Sequence, residues 1–191
     1  MQSEIKKAIK ILKEGKLVVY PTDTLYGLGA DIFNEEAVKK VYEVKKRPLS
    51  MSLPIALASV DEIEEYAFMN NLAYKIAEEF MPGGITIILK KKRNIPDVVA
   101  KEKIAIRVPD CEVAREIAKN VPITATSANL HKRENPVTIE IAKKQLGNSI
   151  ALYIDAGKLP GIPSTIVDVS EGKIKILREG AIKKEEIYGR I

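Results

Sequence analysis

Apolar residues recur along the chain in two patterns, a helical spacing and short continuous runs, and together these predict a domain with both helices and strands. The apolar positions between Ile5 and Leu12 repeat at helical spacing, so we expect a helix over residues 4–14, capped by Ser3. Further helices are expected over residues 35–44, 60–67, 70–80, 111–119, 138–146 and 183–188. Apolar and β-branched runs predict strands over residues 17–20, 53–58, 85–89, 104–109, 122–126, 151–154, 165–169 and 173–178. The interleaving predicts a single α/β domain over residues 1–191, in which a twisted mixed sheet of parallel and antiparallel strands is flanked by helices.

The composition of the 191-residue chain fits a globular protein and excludes several kinds of site. Hydrophobic residues make up 46% of the chain, and no apolar run reaches the roughly 18 residues that a membrane span requires. Residues 1–7 are charged and lack the apolar core of a signal peptide, so we expect a cytoplasmic protein. The only cysteine is Cys111 and the only histidine is His131, which excludes an internal disulfide and a multi-histidine metal site and argues against a Ser-His-Asp triad.

The net charge of +5 favours anionic partners such as nucleotides or RNA. Most basic clusters, including the run over residues 90–93, have acidic neighbours, and a solvated surface is the simpler explanation for each. Aromatic residues make up only 5% of the chain, which weakens the case for a platform that stacks RNA bases.

The segment over residues 20–30 has the densest candidate chemistry. The predicted strand over residues 17–20 ends at Pro21, which has no N–H to donate. Thr22-Asp23-Thr24 then precedes Gly27-x-Gly29, so polar side chains and open backbone follow a strand exit, where open α/β sheets bind ligands. A turn rich in turn-forming residues is the alternative, and spacing alone does not decide between the two.

Charged and polar side chains also stand at three later element ends. Lys45 and Arg47 leave a helix two residues apart, so both can turn toward one phosphate chain, although basic residues also end helices for dipole reasons. Arg107 ends an apolar strand, where a buried salt bridge or an anion site is the expected reason for a cation. Ser127 and Asn129 follow a strand and can contact a sugar, base or phosphate, or form only a turn.

Seven short motifs occur in the order Pro-Thr-Asp-Thr-Leu-Tyr-Gly-Leu, Lys-x-Arg-Pro, Pro-Gly-x-x-Thr, Ile-Arg-Val-Pro, Thr-Ser-Ala-Asn, Ser-Thr-Ile-Val-Asp and Leu-Arg-x-Gly-Ala-Ile. In this order and spacing they resemble the YrdC-like threonylcarbamoyl-AMP synthases, in their short single-domain form. The resemblance covers residues 5–182, almost the whole chain, and it implies a YrdC-like fold.

The resemblance implies an enzyme, a nucleotidyltransferase that makes threonylcarbamoyl-AMP and diphosphate from L-threonine, bicarbonate and ATP. N-carboxythreonine would form first, and its new carboxylate would attack the α-phosphate of ATP. Mg²⁺ would enter with ATP, carried mainly by the phosphates. A separate transferase complex would then move the threonylcarbamoyl group onto an adenosine next to the tRNA anticodon, and a direct contact of this chain with tRNA is left open.

By the same resemblance the site residues fall into three groups. Those expected to hold threonine are Thr24, Arg107, Ala125 and Ser164, with Arg107 on the α-carboxylate. Those expected to hold the triphosphate and act in catalysis are Lys45 and Arg47. Those expected at the adenylate are Ser127, Asn129, Asn135 and Arg178.

Three positions depart from the family pattern. Met51 replaces the Asn or Lys that many members have at a nucleotide contact. Ala56 replaces a histidine that contacts threonine in the longer form. Asn135 replaces a serine and can still donate and accept hydrogen bonds.

Two alternatives remain open from the sequence. The basic charge fits a non-catalytic module that binds tRNA or double-stranded RNA. A carbamoyl-adenylate step, like that of the similar domain in hydrogenase-maturation carbamoyltransferases, is the second. Those proteins also carry cysteine-rich zinc modules and an acylphosphatase unit, for which this chain has no room.

Overall fold

In the computed structural model, which describes residues 1–191, the chain forms seven α-helices and eleven strands. The helices are α1 Gln2–Lys13, α2 Glu35–Lys45, α3 Ile63–Tyr66, α4 Asn71–Phe80, α5 Glu112–Asn120, α6 Ile139–Leu146 and α7 Lys184–Arg190. The strands are β1 Val18–Tyr20, β2 Gly27–Gly29, β3 Ile55–Ala56, β4 Ala67–Phe68, β5 Ile85–Lys91, β6 Lys103–Arg107, β7 Ile123–Thr124, β8 Thr126–Ser127, β9 Leu152–Tyr153, β10 Thr165–Asp168 and β11 Lys175–Arg178. The predicted α/β class with mixed strand directions is confirmed, and no helix has the length and apolarity to span a membrane.

The strands divide into two sheets. The smaller sheet has the order β8-β2-β1-β9, and the larger has the order β11-β10-β5-β6-β3-β7, with β4 added against β5. Each sheet contains parallel and antiparallel pairs: β1 runs parallel to β9 and antiparallel to β2, while β5 runs parallel to β10 and antiparallel to β6. The strand predicted over residues 122–126 is therefore wrong as one unit, because the chain leaves the larger sheet after β7 and enters the smaller sheet at β8. Ala125 is the residue at this crossing, and its N–H bonds the carbonyl of Pro54 at 2.7 Å.

The smaller sheet separates two apolar cores, because successive side chains of a strand point to opposite faces. Val19 belongs to the main core with α2, α4 and the larger sheet. Val18 and Tyr20 belong to a second core, which α1 and α5 cover with Ile5, Leu12 and Ile117 among others.

The ends of α1 and α2 show which residues determine where these helices begin and end. Asn34 caps α2, since its side chain accepts from the N–H of Ala37 at 3.0 Å. The predicted Ser3 cap of α1 is wrong, because the helix begins at Gln2 and Met1 occupies the cap position. α2 ends at Lys45, and Lys46 adopts a left-handed conformation with φ of +50° before Pro48 is reached.

β2 lies inside the segment that the sequence predicted as an open loop. Glycine lowers strand propensity, so Gly27 and Gly29 conceal the strand in the sequence. The structure requires them because the ring of Tyr20 lies over β2. A Cβ on Gly27 would stand 2.7 Å from Cζ of Tyr20, and one on Gly29 would stand 3.1 Å from its Cε1.

Candidate active site

A cavity of about 460 Å³ is lined by residues from both sheets. Its floor is one face of the larger sheet, because alternate residues of neighbouring strands point to the same side. The floor residues are Thr86, Ile88, Lys103, Ala105, Arg107, Ser164, Ile166 and Asp168. The intervening residues, such as Ile87 and Ile106, point into the main core. The smaller sheet contributes the segment after β1 and the strand β8 to the cavity wall.

Arg107, the last residue of β6, is almost fully buried, with 6% of its surface exposed. Its Nη1 donates to Thr24 Oγ1 at 2.9 Å, and its Nη2 donates to Asp23 Oδ1 at 2.7 Å. Nε is buried and has no partner within the chain. An unpaired buried donor costs about 1–3 kcal/mol, which a ligand oxygen that reaches it would recover.

The turn that carries Thr24 is shaped by a second hydroxyl. Thr22 Oγ1 accepts from the N–H groups of Thr24 and Leu25 at 3.1 and 3.2 Å and donates to the Leu25 carbonyl at 2.7 Å. This local turn fixes Thr24 beside Arg107 in a strand-to-strand connection that the Thr-Asp-Thr sequence favours.

A second strand-end arginine supports the segment that carries Ser164. Arg178 Nε and Nη2 both donate to the Ser164 carbonyl, at 3.1 and 2.8 Å. The Ser164 hydroxyl lies 2.8 Å from Thr86 Oγ1 on the neighbouring strand. Partial burial and the charge of Arg107 lower the pKa of Arg178.

Arg47 lies half-buried at the cavity. Its Nη2 donates to the Ser52 carbonyl at 2.9 Å and its Nε to the Met51 carbonyl at 3.3 Å, while Nη1 makes no hydrogen bond within the chain. The guanidinium therefore keeps a donor for a ligand in the cavity. Met51, which departs from the family pattern, is partly exposed and contributes its backbone to this contact.

Lys45 takes a different direction from Arg47. It is 2% exposed, and its ammonium donates to the carbonyls of Ser127 and Asn129 and to Asn129 Oδ1. Burial, with a smaller effect from the charge of Arg47, lowers the pKa of Lys45 to about 7. Ser127 Oγ donates to the same Asn129 oxygen at 2.6 Å.

The structure therefore brings most of the predicted site residues to one cavity. Those that line it are Thr24, Arg47, Arg107, Ala125, Ser127, Asn135, Ser164 and Arg178. Lys45 and Asn129 are not part of the lining and contact Ser127 instead. Ala56, at the second departure from the family pattern, also lines the cavity, where its methyl group offers no polar contact.

Sequence reasoning missed Asp23 as the partner of Arg107, and it missed an ion pair on the floor. Lys103 Nζ lies 3.1 Å from Asp168 Oδ2, and both residues line the cavity. The predicted strand began at residue 104, which excluded Lys103 from β6. With the observed start, the period of two places Lys103 and Arg107 on the same face, so strand alternation was the available signal.

The comparisons with known proteins agree in one family. A family model named Sua5_yciO_yrdC, described as telomere recombination, matches residues 10–180. A putative threonylcarbamoyl-AMP synthase of Methanocaldococcus jannaschii is 44% identical over 191 residues, which cover 97% of this chain and 92% of that protein. A threonylcarbamoyl-AMP synthase of Pyrococcus abyssi is 35% identical over 190 residues, which cover 96% of this chain but 56% of that longer protein. The crystal structure of P. abyssi Sua5 complexed with L-threonine matches 100% of this chain and 59% of that chain, with a TM-score of 0.94 and 33% identity.

Proposed function

The chain belongs to the Sua5/YciO/YrdC family, and we propose that it is a threonylcarbamoyl-AMP synthase, which makes threonylcarbamoyl-AMP and diphosphate from L-threonine, bicarbonate and ATP. One observation carries the proposal. Thr24 and Arg107, expected at threonine, line the same cavity as Arg47 and Ser127, expected at the nucleotide, although these residues come from distant parts of the chain. The names of the M. jannaschii and P. abyssi relatives and the threonine complex of P. abyssi Sua5 support it.

Threonine is proposed to bind against Arg107. The free Nε of this buried arginine, with Asp23 holding the other side of the guanidinium, suits the α-carboxylate of an amino acid. Thr24 and Ser164 supply hydroxyls near this position, and Ala125 supplies backbone at the crossing between the sheets. Ala56 contributes only a methyl group, so Arg107 and the hydroxyls must supply the specificity of this end.

The nucleotide is proposed to bind against Arg47, Ser127, Asn135 and Arg178, which all line the cavity. Arg47 has an uncommitted Nη1 for phosphate oxygens. The proton of the Ser127 hydroxyl is committed to Asn129, so its oxygen can accept from a ribose hydroxyl or from the adenine amino group.

The proposed chemistry needs no protein nucleophile. The carboxylate of N-carboxythreonine attacks the α-phosphorus of ATP, a new P–O bond forms, and the bond to the β-phosphate oxygen breaks with release of diphosphate. Both reactants are anions, so the chain's contribution is to align them and neutralise their charge. The strand-end and helix-end arginines of the cavity meet that requirement.

The magnesium ion is proposed to arrive as part of the substrate MgATP. No group of three His, Cys, Asp or Glu side chains in the chain could hold a metal ion. We propose that the phosphates are its main ligands, in agreement with the usual binding of Mg²⁺ in nucleotide sites.

The product is a mixed anhydride and must be passed to a second enzyme. We propose that a separate transferase complex carries the threonylcarbamoyl group to the adenosine next to the anticodon of tRNA. We accordingly propose that the chain acts in the cytoplasm, where ATP, threonine and tRNA occur together.

The test is a reconstitution with MgATP, labelled bicarbonate and L-threonine, followed by mass spectrometry for a threonine-containing adenylate and by measurement of diphosphate. We expect product only when all three substrates are present. Threonine-independent release of diphosphate would contradict the proposal. A salt-sensitive affinity for tRNA with no diphosphate release at all would favour the RNA-binding alternative.

A further inference from the structure

The side chain of Lys45 points away from the cavity and into the loop over residues 127–131. A lysine ammonium has three N–H donors. The structure gives it three acceptors, which are the Ser127 carbonyl, the Asn129 carbonyl at 2.7 Å and Asn129 Oδ1 at 3.2 Å. Every donor of Lys45 is thus committed to the loop, and none is left for a phosphate.

The loop depends on this ammonium group for its shape. Asn129 Oδ1 accepts from both Lys45 and the Ser127 hydroxyl, and Asn129 Nδ2 donates to the Arg133 carbonyl at 2.9 Å. In return, the carbonyl of Lys45 accepts from the N–H of His131 at 2.9 Å. The end of α2 and the loop that presents Ser127 to the cavity therefore form one hydrogen-bonded unit.

No acidic side chain forms an ion pair with Lys45. The charged and titratable groups near it are Arg47 on its own segment and His131 in the loop, with Lys132 beside His131. A buried cation without a carboxylate partner is costly, so oxygen atoms must surround it closely to make its burial tolerable. The loop carbonyls meet that need, which ties the loop geometry to the presence of the ammonium group.

We propose that Lys45 is a positioning residue, which clamps the Ser127–Asn129 segment so that the Ser127 hydroxyl faces the nucleoside part of ATP, and that Arg47 alone of the pair contacts the phosphates. This inference rests on the proposed function, because it assigns the nucleoside to Ser127. It separates two neighbouring cations that the sequence pattern treats as one phosphate-binding pair.

The experiment measures the affinities of the unaltered protein, Lys45→Met and Arg47→Ala for two ligands. One is ATP, and the other is adenosine, a probe that has the nucleoside but no phosphate. Loss of a clamp should lower the affinities for ATP and for adenosine by the same factor, about tenfold or more, since both ligands would contact Ser127. Loss of a phosphate contact should weaken ATP and leave adenosine unchanged. We expect the first result for Lys45→Met and the second for Arg47→Ala, with threonine affinity unchanged in Lys45→Met.

Selective loss of ATP affinity in Lys45→Met would overturn the clamp and make Lys45 a phosphate ligand. If the unaltered protein bound neither ATP nor adenosine, the proposed function itself would fail, which is a different outcome. A measurement on the unaltered protein keeps the test decisive where Lys45→Met does not fold. Burial lowers the pKa of Lys45 to about 7, and the neutral amine keeps only two of its donors. Adenosine affinity should therefore fall across the pH range over which NMR shows the Lys45 ammonium group losing its proton, and an affinity that stays constant while the group titrates would overturn the clamp.

Discussion

Arg107 Nη1 and Thr24 Oγ1 lie 2.9 Å apart although 83 positions separate the two residues in the chain. The contact joins the end of β6 in the larger sheet to the turn after β1 in the smaller sheet. The two sheets are thereby linked at the cavity wall, beside the buried guanidinium of Arg107. The same guanidinium binds Asp23 and leaves Nε without a partner, so Arg107 joins the two sheets and keeps one donor for a ligand.

Arg107→Ala should raise the threonine KM by about 10- to 100-fold and leave ATP affinity unchanged, because a charged hydrogen bond to the substrate carboxylate is worth about 1.5–3 kcal/mol. The variant should also lose stability, since Asp23 would remain half-buried without its partner. Titration calorimetry with each substrate and a thermal melt measure the two effects. The double variant Arg107→Ala with Asp23→Asn is the control, and it should regain stability while threonine binding stays weak. Normal threonine affinity in either variant would contradict the assigned role.

Arg47→Ala should reduce synthase turnover by about 100-fold, because under the proposed function it removes a cation that stabilises charge on the transferring phosphoryl group. Its hydrogen bonds to the Met51 and Ser52 carbonyls are partly exposed, so the free energy of unfolding should fall by about 1 kcal/mol or less. The matched control is Arg93→Ala, which removes an exposed arginine outside the cavity and should leave turnover unchanged. Near-normal turnover in Arg47→Ala would count against the nucleotide assignment.

Most predicted helices agree with the structure because their signals are local, but the helix predicted over residues 60–67 spans only Ile63–Tyr66, and Ala67 already belongs to β4. Asn34 and Asn70 mark helix starts with short side chains that accept from the backbone of the first turn, and the helices predicted over residues 35–44 and 70–80 are confirmed. The strands were harder to predict, because whether a segment forms a strand depends on partners that are distant in the sequence. β2 forms by pairing with β1 and β8, and its glycines make room for the ring of Tyr20, which no pattern within residues 27–29 shows.

In the candidate site, too, local sequence signals were predictive and contacts between distant residues were not. Motif order indicated which side chains belong together, and the cavity lining agrees for most of them. The direction of a side chain is set by tertiary contacts, so the sequence could not separate Lys45 from Arg47. The role of Asp23 could not be predicted either, because an aspartate in a turn-forming segment is typical of a turn. Only the structure shows that Arg107 Nη2 lies 2.7 Å from its carboxylate.

Gly180→Ala should destabilise the fold and weaken threonine binding together. A Cβ at Gly180 would stand 2.0 Å from the Pro163 carbonyl oxygen and 2.8 Å from the Ser164 carbonyl carbon, so the backbone that carries Ser164 must move. We expect a loss of about 1–3 kcal/mol in the free energy of unfolding. Gly189→Ala is the matched control, because a Cβ there meets nothing within 4 Å and Ala favours the helical conformation of α7. Equal stability of the two variants in urea would show that the segment around Ser164 adapts to the added methyl group.

Lys45→Met should change how stability depends on pH. Burial lowers the pKa of Lys45 from 10.5 to about 7 in the folded protein, so between pH 7 and pH 10.5 the unfolded chain binds more protons at this position than the folded chain. The contribution of Lys45 to the free energy of unfolding must then rise with pH across that window, by at most about 1.4 kcal/mol per pH unit. Below pH 7 this contribution should not change with pH. Urea unfolding of the unaltered protein and of Lys45→Met from pH 6 to pH 9 measures the difference, which should move in favour of the unaltered protein above pH 7. Lys13→Met, at an exposed position of α1, is the control and should run parallel to the unaltered protein. A constant difference between the unaltered protein and Lys45→Met across the window would mean that the ammonium group stays charged in the fold, held by oxygen atoms that compensate its burial fully.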